Sequence, residues 1–309
     1  MIVVCGEALM DVFATGDTPN GVTLDARIGG SPFNVAIGLA RLEQPVAFLG
    51  ALSTDVFGER LLRALAAESV DTSLVARVDA PTTLGLVGAD RRGSPTYVFH
   101  GERGADRQLA HAALAWPALA LEAVHVGSYA TVVEPVAATL RELVERERRR
   151  ALVAYDVNVR LTVEPDRARW RDALTWHLSR ADVLKLSDED LQAVASGLDA
   201  DAFATEALRR GVRLVVVTRG AAGALGWTRS ARVSVEATPV PLVDTVGAGD
   251  TLQAALLAWL RDTQRLSRDA IDALDEPALG AALRYATRAA AITCSRRGAD
   301  LPRRRDLGP

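Results

Sequence analysis

The chain has 309 residues, 49% of them hydrophobic and only 5% aromatic, so its core is built from Ala, Val and Leu, which suits helices packed on parallel strands. A net charge of −3 and a pI near 5.9 give no global basic field, which argues against a chain held by charge to nucleic acid or a membrane surface. Two cysteines, a start without a basic leader and no bilayer-length apolar run exclude a disulfide scaffold and a membrane span, and fit a reducing cytoplasm.

In chain order, residues 1–6 read as a buried strand and 33–43 as a helix entered through the turn Gly29-Gly30. Residues 46–50 read as a strand and 56–68 as a helix beginning near Asp55. The texture then changes. Two β-prone runs, Leu84–Gly88 and Thr96–His100, flank Asp90-Arg91-Arg92-Gly93-Ser94-Pro95, the pattern of a hairpin. Residues 12–28 are also strand and turn, and the two pieces are predicted to form one small sheet beside the main body. From residue 121 strands and helices alternate. Strands are expected at 124–126, 152–156, 183–186 and 212–218, and helices at 135–150, 167–179, 188–197 and 201–210. A late hairpin, 225–228 with 232–235, precedes helices at 250–261 and 278–294. This rhythm implies a doubly wound α/β fold, a mainly parallel sheet with helices on both faces. It reads as one domain over 1–309, with about 12–28 and 74–105 inserted as a β-sheet lid. The tail at Arg303-Arg304-Arg305 reads as frayed. In such sheets ligands sit at the carboxyl ends of the strands, where the motifs below fall.

Lys185 is the single lysine, in Val183-Leu184-Lys185-Leu186 with no glycines before it. That excludes a standard P-loop, and the V-A-I-K and H-R-D elements of protein kinases are absent. Any phosphate cradle must use backbone amides and arginine.

Asp244-Thr245-Val246-Gly247-Ala248-Gly249-Asp250-Thr251 opens a helix. Glycines before a helix leave amides bare, and with the helix dipole they form an anion site. A carboxylate there repels a resting phosphate. It makes sense as a base that takes a proton from a hydroxyl about to attack phosphorus. The alternative is that Asp250 is a helix N-cap and the glycines a tight turn. A dinucleotide fingerprint fails, because Leu252 stands at its third glycine and no clear strand enters the turn. In Gly29-Gly30-Ser31-Pro32-Phe33-Asn34 the glycines permit close backbone approach and Asn34 suits sugar hydroxyls, or it caps a helix. Asp156-x-Asn158-x-Arg160 follows a strand and puts three side chains on one side if the chain stays extended; the alternative is an Asx-turn.

The Gly247–Asp250 segment resembles the G-A-G-D signature of the ribokinase-like (PfkB-type) carbohydrate kinases, and the other motifs follow in that family's order from Gly6 to about Pro302. The resemblance implies that Asp250 is the catalytic base and that Gly247, Ala248 and Gly249 form the anion hole. It implies sugar contacts from Asp11, Gly29, Gly30 and Asn34, and from Asn158 and Arg160 in the element typical of fructokinases. His100 and Arg103, after the aromatic-rich strand, are further candidates. Thr218-Arg219-Gly220-Ala221-Ala222-Gly223 is similar to the family's T-x-G-x-x-G element, so Thr218, Gly220 and Gly223 join Lys185, Ser187 and Thr287 as nucleotide candidates. The family's N-x-x-E appears here as Ser187 and Asp190, so Asp190 and Glu189 are the candidates for magnesium, acting through water. His111, His125 and His177 have no metal-ligand spacing. The implied activity is transfer of the γ-phosphoryl group of ATP to a small sugar, fructose first, with 2-keto-3-deoxygluconate, ribose and nucleosides as alternatives. A silent sugar- or nucleotide-binding regulator is the reading from another class. The resemblance implies ATP and Mg2+, leaves activation by K+ open, and points to a homodimer formed through the lid.

Overall fold

The structure is a computed structural model that describes residues 1–89, 95–116 and 119–308. The turn expected around Asp90–Ser94 lies outside the described residues.

The chain opens with β1 (Ile2–Cys5), the hairpin β2 (Leu9–Thr18) and β3 (Gly21–Gly29), and α1 (Ser31–Arg41). Next come β4 (Val46–Leu49), β5 (Ala51–Ser53), α2 (Val56–Ala67), β6 (Ala76–Val78) and the hairpin β7 (Leu84–Ala89) and β8 (Pro95–His100). The alternating part runs β9 (Ala123–Gly127), α3 (Val136–Glu147), β10 (Leu152–Asp156), α4 (Arg167–Leu178), β11 (Val183–Ser187), α5 (Asp188–Val194) and α6 (Ala200–Arg210). It closes with β12 (Leu214–Thr218), β13 (Ala224–Trp227), β14 (Arg232–Val235), α7 (Ala248–Asp262), α8 (Arg268–Asp272) and α9 (Glu276–Cys294).

The main sheet has eight strands in the order β14-β13-β12-β11-β10-β9-β1-β4. It is parallel from β4 to β12, and β13 and β14 add antiparallel at one edge. Its strands are apolar almost throughout because both faces are covered. Alternation sorts the side chains. Ile2, Val4, Ala154 and Val183 join the layer of α1, α7 and α9, while Val3, Cys5, Tyr155 and Leu184 join the layer of α3, α4 and α6. The same alternation aims three polar side chains, His125, Asp156 and Lys185, at the α7 face, and all three are buried.

The separate small sheet has the order β3-β2-β7-β8, two antiparallel hairpins joined by the parallel pair β2–β7. Residues 74–83 do not enter it, because β6 pairs in parallel with β5. The pattern of those three-residue strands is too short to read from sequence. The carboxyl-terminal arginines are docked rather than frayed. Arg304 donates to the Leu42 carbonyl at 2.6 Å and pairs with Asp262, Arg303 pairs with Glu68, and Leu307 is buried.

Candidate active site

Two helix beginnings meet at the carboxyl end of the sheet. Helix α7 has no side-chain cap: its N-cap is Gly247, at φ 78°, where a Cβ would stand 2.7 Å from the Ala299 Cβ. Asp244 tethers the turn, accepting from the Val246 amide at 3.0 Å and the Gly298 amide at 2.8 Å. Among the described residues, the Gly249 and Asp250 amides donate to no backbone carbonyl outside the helix, as expected of a first turn left bare for an anion, whereas the Ala248 amide, also expected in the anion hole, closes the turn onto the Thr245 carbonyl at 3.2 Å. Asp250 itself is not the cap. Its Oδ1 accepts from the Ser31 hydroxyl at 2.6 Å and its Oδ2 from the Asn34 amide at 2.8 Å, and it is buried.

Helix α1 supplies both donors. Its N-cap is Gly30, at φ 107°, a conformation that suits glycine, and a Cβ there would lie 2.7 Å from the Glu7 carbonyl oxygen. Asn34 sits one turn into the helix, its amide bonded to the Gly30 carbonyl at 2.9 Å, so its side chain is free to face Asp250. The reading of Asn34 or Asp250 as a helix cap is therefore overturned by the two glycine caps. Asp11, near the start of β2, packs between two glycines. A Cβ on Gly29 would lie 2.3 Å from its Oδ2, and one on Gly85 would lie 2.9 Å from its Oδ1. Burial pushes the Asp11 carboxyl up to about 6, with Arg160 opposing and Asp250 adding to the rise.

Beneath the α7 turn lies a buried ion pair. The Lys185 ammonium donates to Asp156 Oδ2 at 2.8 Å, and a Cβ on Gly249 would stand 3.0 Å from the Lys185 Nζ. Burial pushes the Asp156 carboxyl up to about 7, against the pull of Lys185. Burial also works against the Lys185 ammonium, but Asp156, Asp190 and Asp250 raise it above its ordinary value. The pair thus places a fixed positive charge against the bare amides.

The chain does not stay extended after Asp156. Asn158 has φ 41° and its side-chain amide is buried without a partner among the described residues, so the three side chains do not share one side. Arg160 is exposed, and its charge bears on Asp11 and Glu7. Asp190 is committed to backbone. Its Oδ2 accepts from the Ser187 amide at 2.9 Å in a capping box, and its Oδ1 from the Val159 amide at 2.7 Å, so it clamps the 157–160 loop onto α5. Glu189 is exposed, and no three His, Cys, Asp or Glu side chains cluster as metal ligands among the described residues.

Thr218 ends β12, beside the tight turn in which Gly220 has φ 51° and Gly223 has φ 84°. Thr287 is buried in α9 with its hydroxyl bonded to the Arg284 carbonyl at 3.2 Å. His100 and Arg103 are exposed at the exit of the small sheet. Ser31, Glu7 and Asp106 were not singled out by the sequence reading. The available signal for Glu7 was an acid set between the apolar pairs Val4-Cys5 and Ala8-Leu9.

A parallel α/β body, a small sheet over its carboxyl edge and a buried carboxylate at a bare helix start define a phosphotransferase acting on a hydroxyl. Residues 1–305 match the model of the pfkB family carbohydrate kinases, and the chain belongs to that family. It is 37% identical over 279 residues to a fructokinase of Rhizobium leguminosarum bv. trifolii, covering 90% of this chain and 85% of that one. It is 32% identical to fructokinase-1 of Oryza sativa subsp. japonica, covering 97% and 93%. The crystal structure of a fructokinase from Xylella fastidiosa with bound ATP superposes with a TM-score of 0.88 at 28% identity, over 99% of this chain and 96% of that one. That of a fructokinase from Vibrio cholerae O395 with fructose, ADP and calcium gives 0.83 at 26%, over 99% and 97%.

Proposed function

We propose that this protein is an ATP-dependent fructose kinase in which Asp250 is the general base. The observation that carries the reading is the meeting of Asp250, Ser31 and Asn34 at the bare start of α7, in a chain whose relatives are fructokinases. Asp11, Gly29, Gly30, Asn34, Asn158 and Arg160 hold the sugar. A carboxylate has about four acceptor positions, so Asp250 can keep Ser31 and Asn34 and still accept from a sugar hydroxyl. As that hydroxyl attacks the γ-phosphorus, its proton passes to Asp250 and the bond to the ADP oxygen breaks. The Gly249 and Asp250 amides, backed by Lys185, stabilise the charge spread over the transferring oxygens. Thr218, Gly220, Gly223 and Thr287 flank the nucleotide.

Magnesium would fit here as an ion that Asp190 and Glu189 hold through water rather than directly. Asp190 has both oxygens on amides and Glu189 is exposed, so either acts through water. The ion supplies charge neutralisation on the phosphates. The small sheet is the lid: closure over the sugar excludes water and limits ATP hydrolysis. Val22, Leu24 and Val98 on it are half exposed, which favours pairing of two copies through the lid. We assign the enzyme to the cytoplasm, where ATP is supplied and its two free cysteines stay reduced.

The test is ADP release with ATP and magnesium against fructose, ribose, 2-keto-3-deoxygluconate, glucose and adenosine. Turnover highest on fructose supports the reading. Turnover on another sugar alone reassigns the substrate, and binding without turnover identifies a regulator.

A further inference from the structure

The β7–β8 part of the lid leaves and re-enters the body at one point. Strand β7 begins just after Thr83, and β8 ends just before Gly101. Asp106 is buried there, and its oxygens accept from the Thr83 hydroxyl and, at 2.9 Å, from the Tyr129 hydroxyl. The fit is close: a Cβ on Gly104 would stand 1.9 Å from the Thr83 Oγ1. On the other side Asp55 accepts from the Thr82 amide at 2.8 Å and its hydroxyl at 2.7 Å. Thr82 and Thr83 are thus a pivot held by two carboxylates.

Next to the pivot stands Glu7, which is 1% exposed. Among the described residues its Oε2 has no hydrogen-bond partner at normal distance, and the nearby Ser128, which sits at φ 55°, offers the hydroxyl that eases its charge. The Glu7 carbonyl packs under Gly30, and the side chain lies within charge range of both Asp106 and Arg160. We propose that Glu7 is a positioning residue that ties the lid pivot at Thr83, Asp106 and Tyr129 to the sugar site at Gly30 and Arg160.

Two buried carboxyls in charge contact do not both ionise readily. Burial raises both, but Asp106 has two hydroxyl donors and the adjacent Arg107 to hold its charge. Glu7 faces Ser128 and Tyr129 from the turn after β9, Asp106 from the turn after β8, and Arg160 from the loop after β10. Burial pushes its carboxyl up to about 8, and that of the Tyr129 hydroxyl well above its usual range. Glu7 is therefore the member that gains charge between neutral and alkaline pH. Its ionisation sets a second negative charge against Asp106 and draws Arg160 away from the sugar.

This inference rests on the fructose kinase reading, and the experiment separates the two. Fructose KM and kcat are measured from pH 7 to 9 for the wild type, Glu7→Gln and Thr83→Val. The wild-type KM is expected to rise about tenfold as one ionisation, more steeply than kcat falls. Glu7→Gln keeps size and neutrality, so it has the wild-type KM at pH 7 and stays flat. Thr83→Val removes the donor to Asp106 and raises KM about tenfold at pH 7. A flat wild-type profile, a Glu7→Gln profile that still rises, or an unchanged KM in Thr83→Val overturns the inference. If the wild type does not phosphorylate fructose, the functional reading fails by itself. Amide exchange in β7 and β8, corrected for intrinsic rate, then tests the pivot: it quickens above pH 8 in the wild type but not in Glu7→Gln, and equal behaviour in the two overturns it.

Discussion

Under the proposed mechanism, replacing Asp250 by Asn removes the base and little else. The carboxylate accepts from Ser31 at 2.6 Å and from Asn34 at 2.8 Å. The introduced amide keeps an oxygen for Asn34 and turns its NH2 toward Ser31, whose hydroxyl reverses to accept. Shape, burial and both hydrogen bonds survive, so the fold and the sugar site are retained. What disappears is the acceptor for the sugar proton. Loss of a general base lowers kcat by about two to four powers of ten, about 3 to 5 kcal/mol on the barrier. The assay is ADP release at saturating ATP and fructose, with calorimetric fructose affinity as the control. Affinity within about threefold of wild type with kcat down at least a hundredfold is the expected result. A kcat within tenfold of wild type refutes the role of Asp250 as base.

Gly29→Ala puts a Cβ 2.3 Å from the Asp11 carboxylate; displacing that hydrogen-bonding charge is expected to raise fructose KM about tenfold or more while ATP KM holds, which steady-state kinetics checks. Lys185→Met leaves Asp156 without its donor in a buried site, where it takes up a proton, and is expected to cost about 1–3 kcal/mol in urea unfolding; no measurable loss contradicts the buried pair. His125 and His177 are buried, and burial lowers each from 6.5 to about 3, so each is neutral in the folded state and gains a proton on unfolding. The folded state thus binds fewer protons, so stability present above pH 6.5 is lost as pH falls toward 3. The expected loss is about 2 kcal/mol per histidine between pH 7 and pH 5, read by urea unfolding at each pH, and His177→Phe should remove its share.

The small sheet was legible because strand alternation and turn residues are local signals, and the runs expected at 12–28 and at 84–100 both lie in its antiparallel strand pairs. Its partner order was not, since parallel pairing of β2 with β7 joins segments some seventy residues apart and leaves no local trace. The tail was misread for the same reason: Arg303 and Arg304 look solvated in sequence, yet their partners Glu68, Leu42 and Asp262 come from distant elements.

Within the site, Gly247–Asp250 announced itself because bare amides need glycine before a helix and a carboxylate among them needs a chemical reason. The sequence by itself therefore determined the α/β rhythm and singled out the Gly247–Asp250 turn on which the proposed mechanism rests. Only the tertiary structure decided which groups serve it. Ser31 and Asn34 lie more than two hundred residues from Asp250 and reach it because α1 and α7 pack side by side. Asp190, read as a metal candidate, is held by the Ser187 and Val159 amides, because it stands at the capping-box position of α5 and the loop after β10 packs against that helix start. Whether a polar side chain is free, capped or paired depends on what the fold brings within about 3 Å of it, and spacing along one chain does not carry that information.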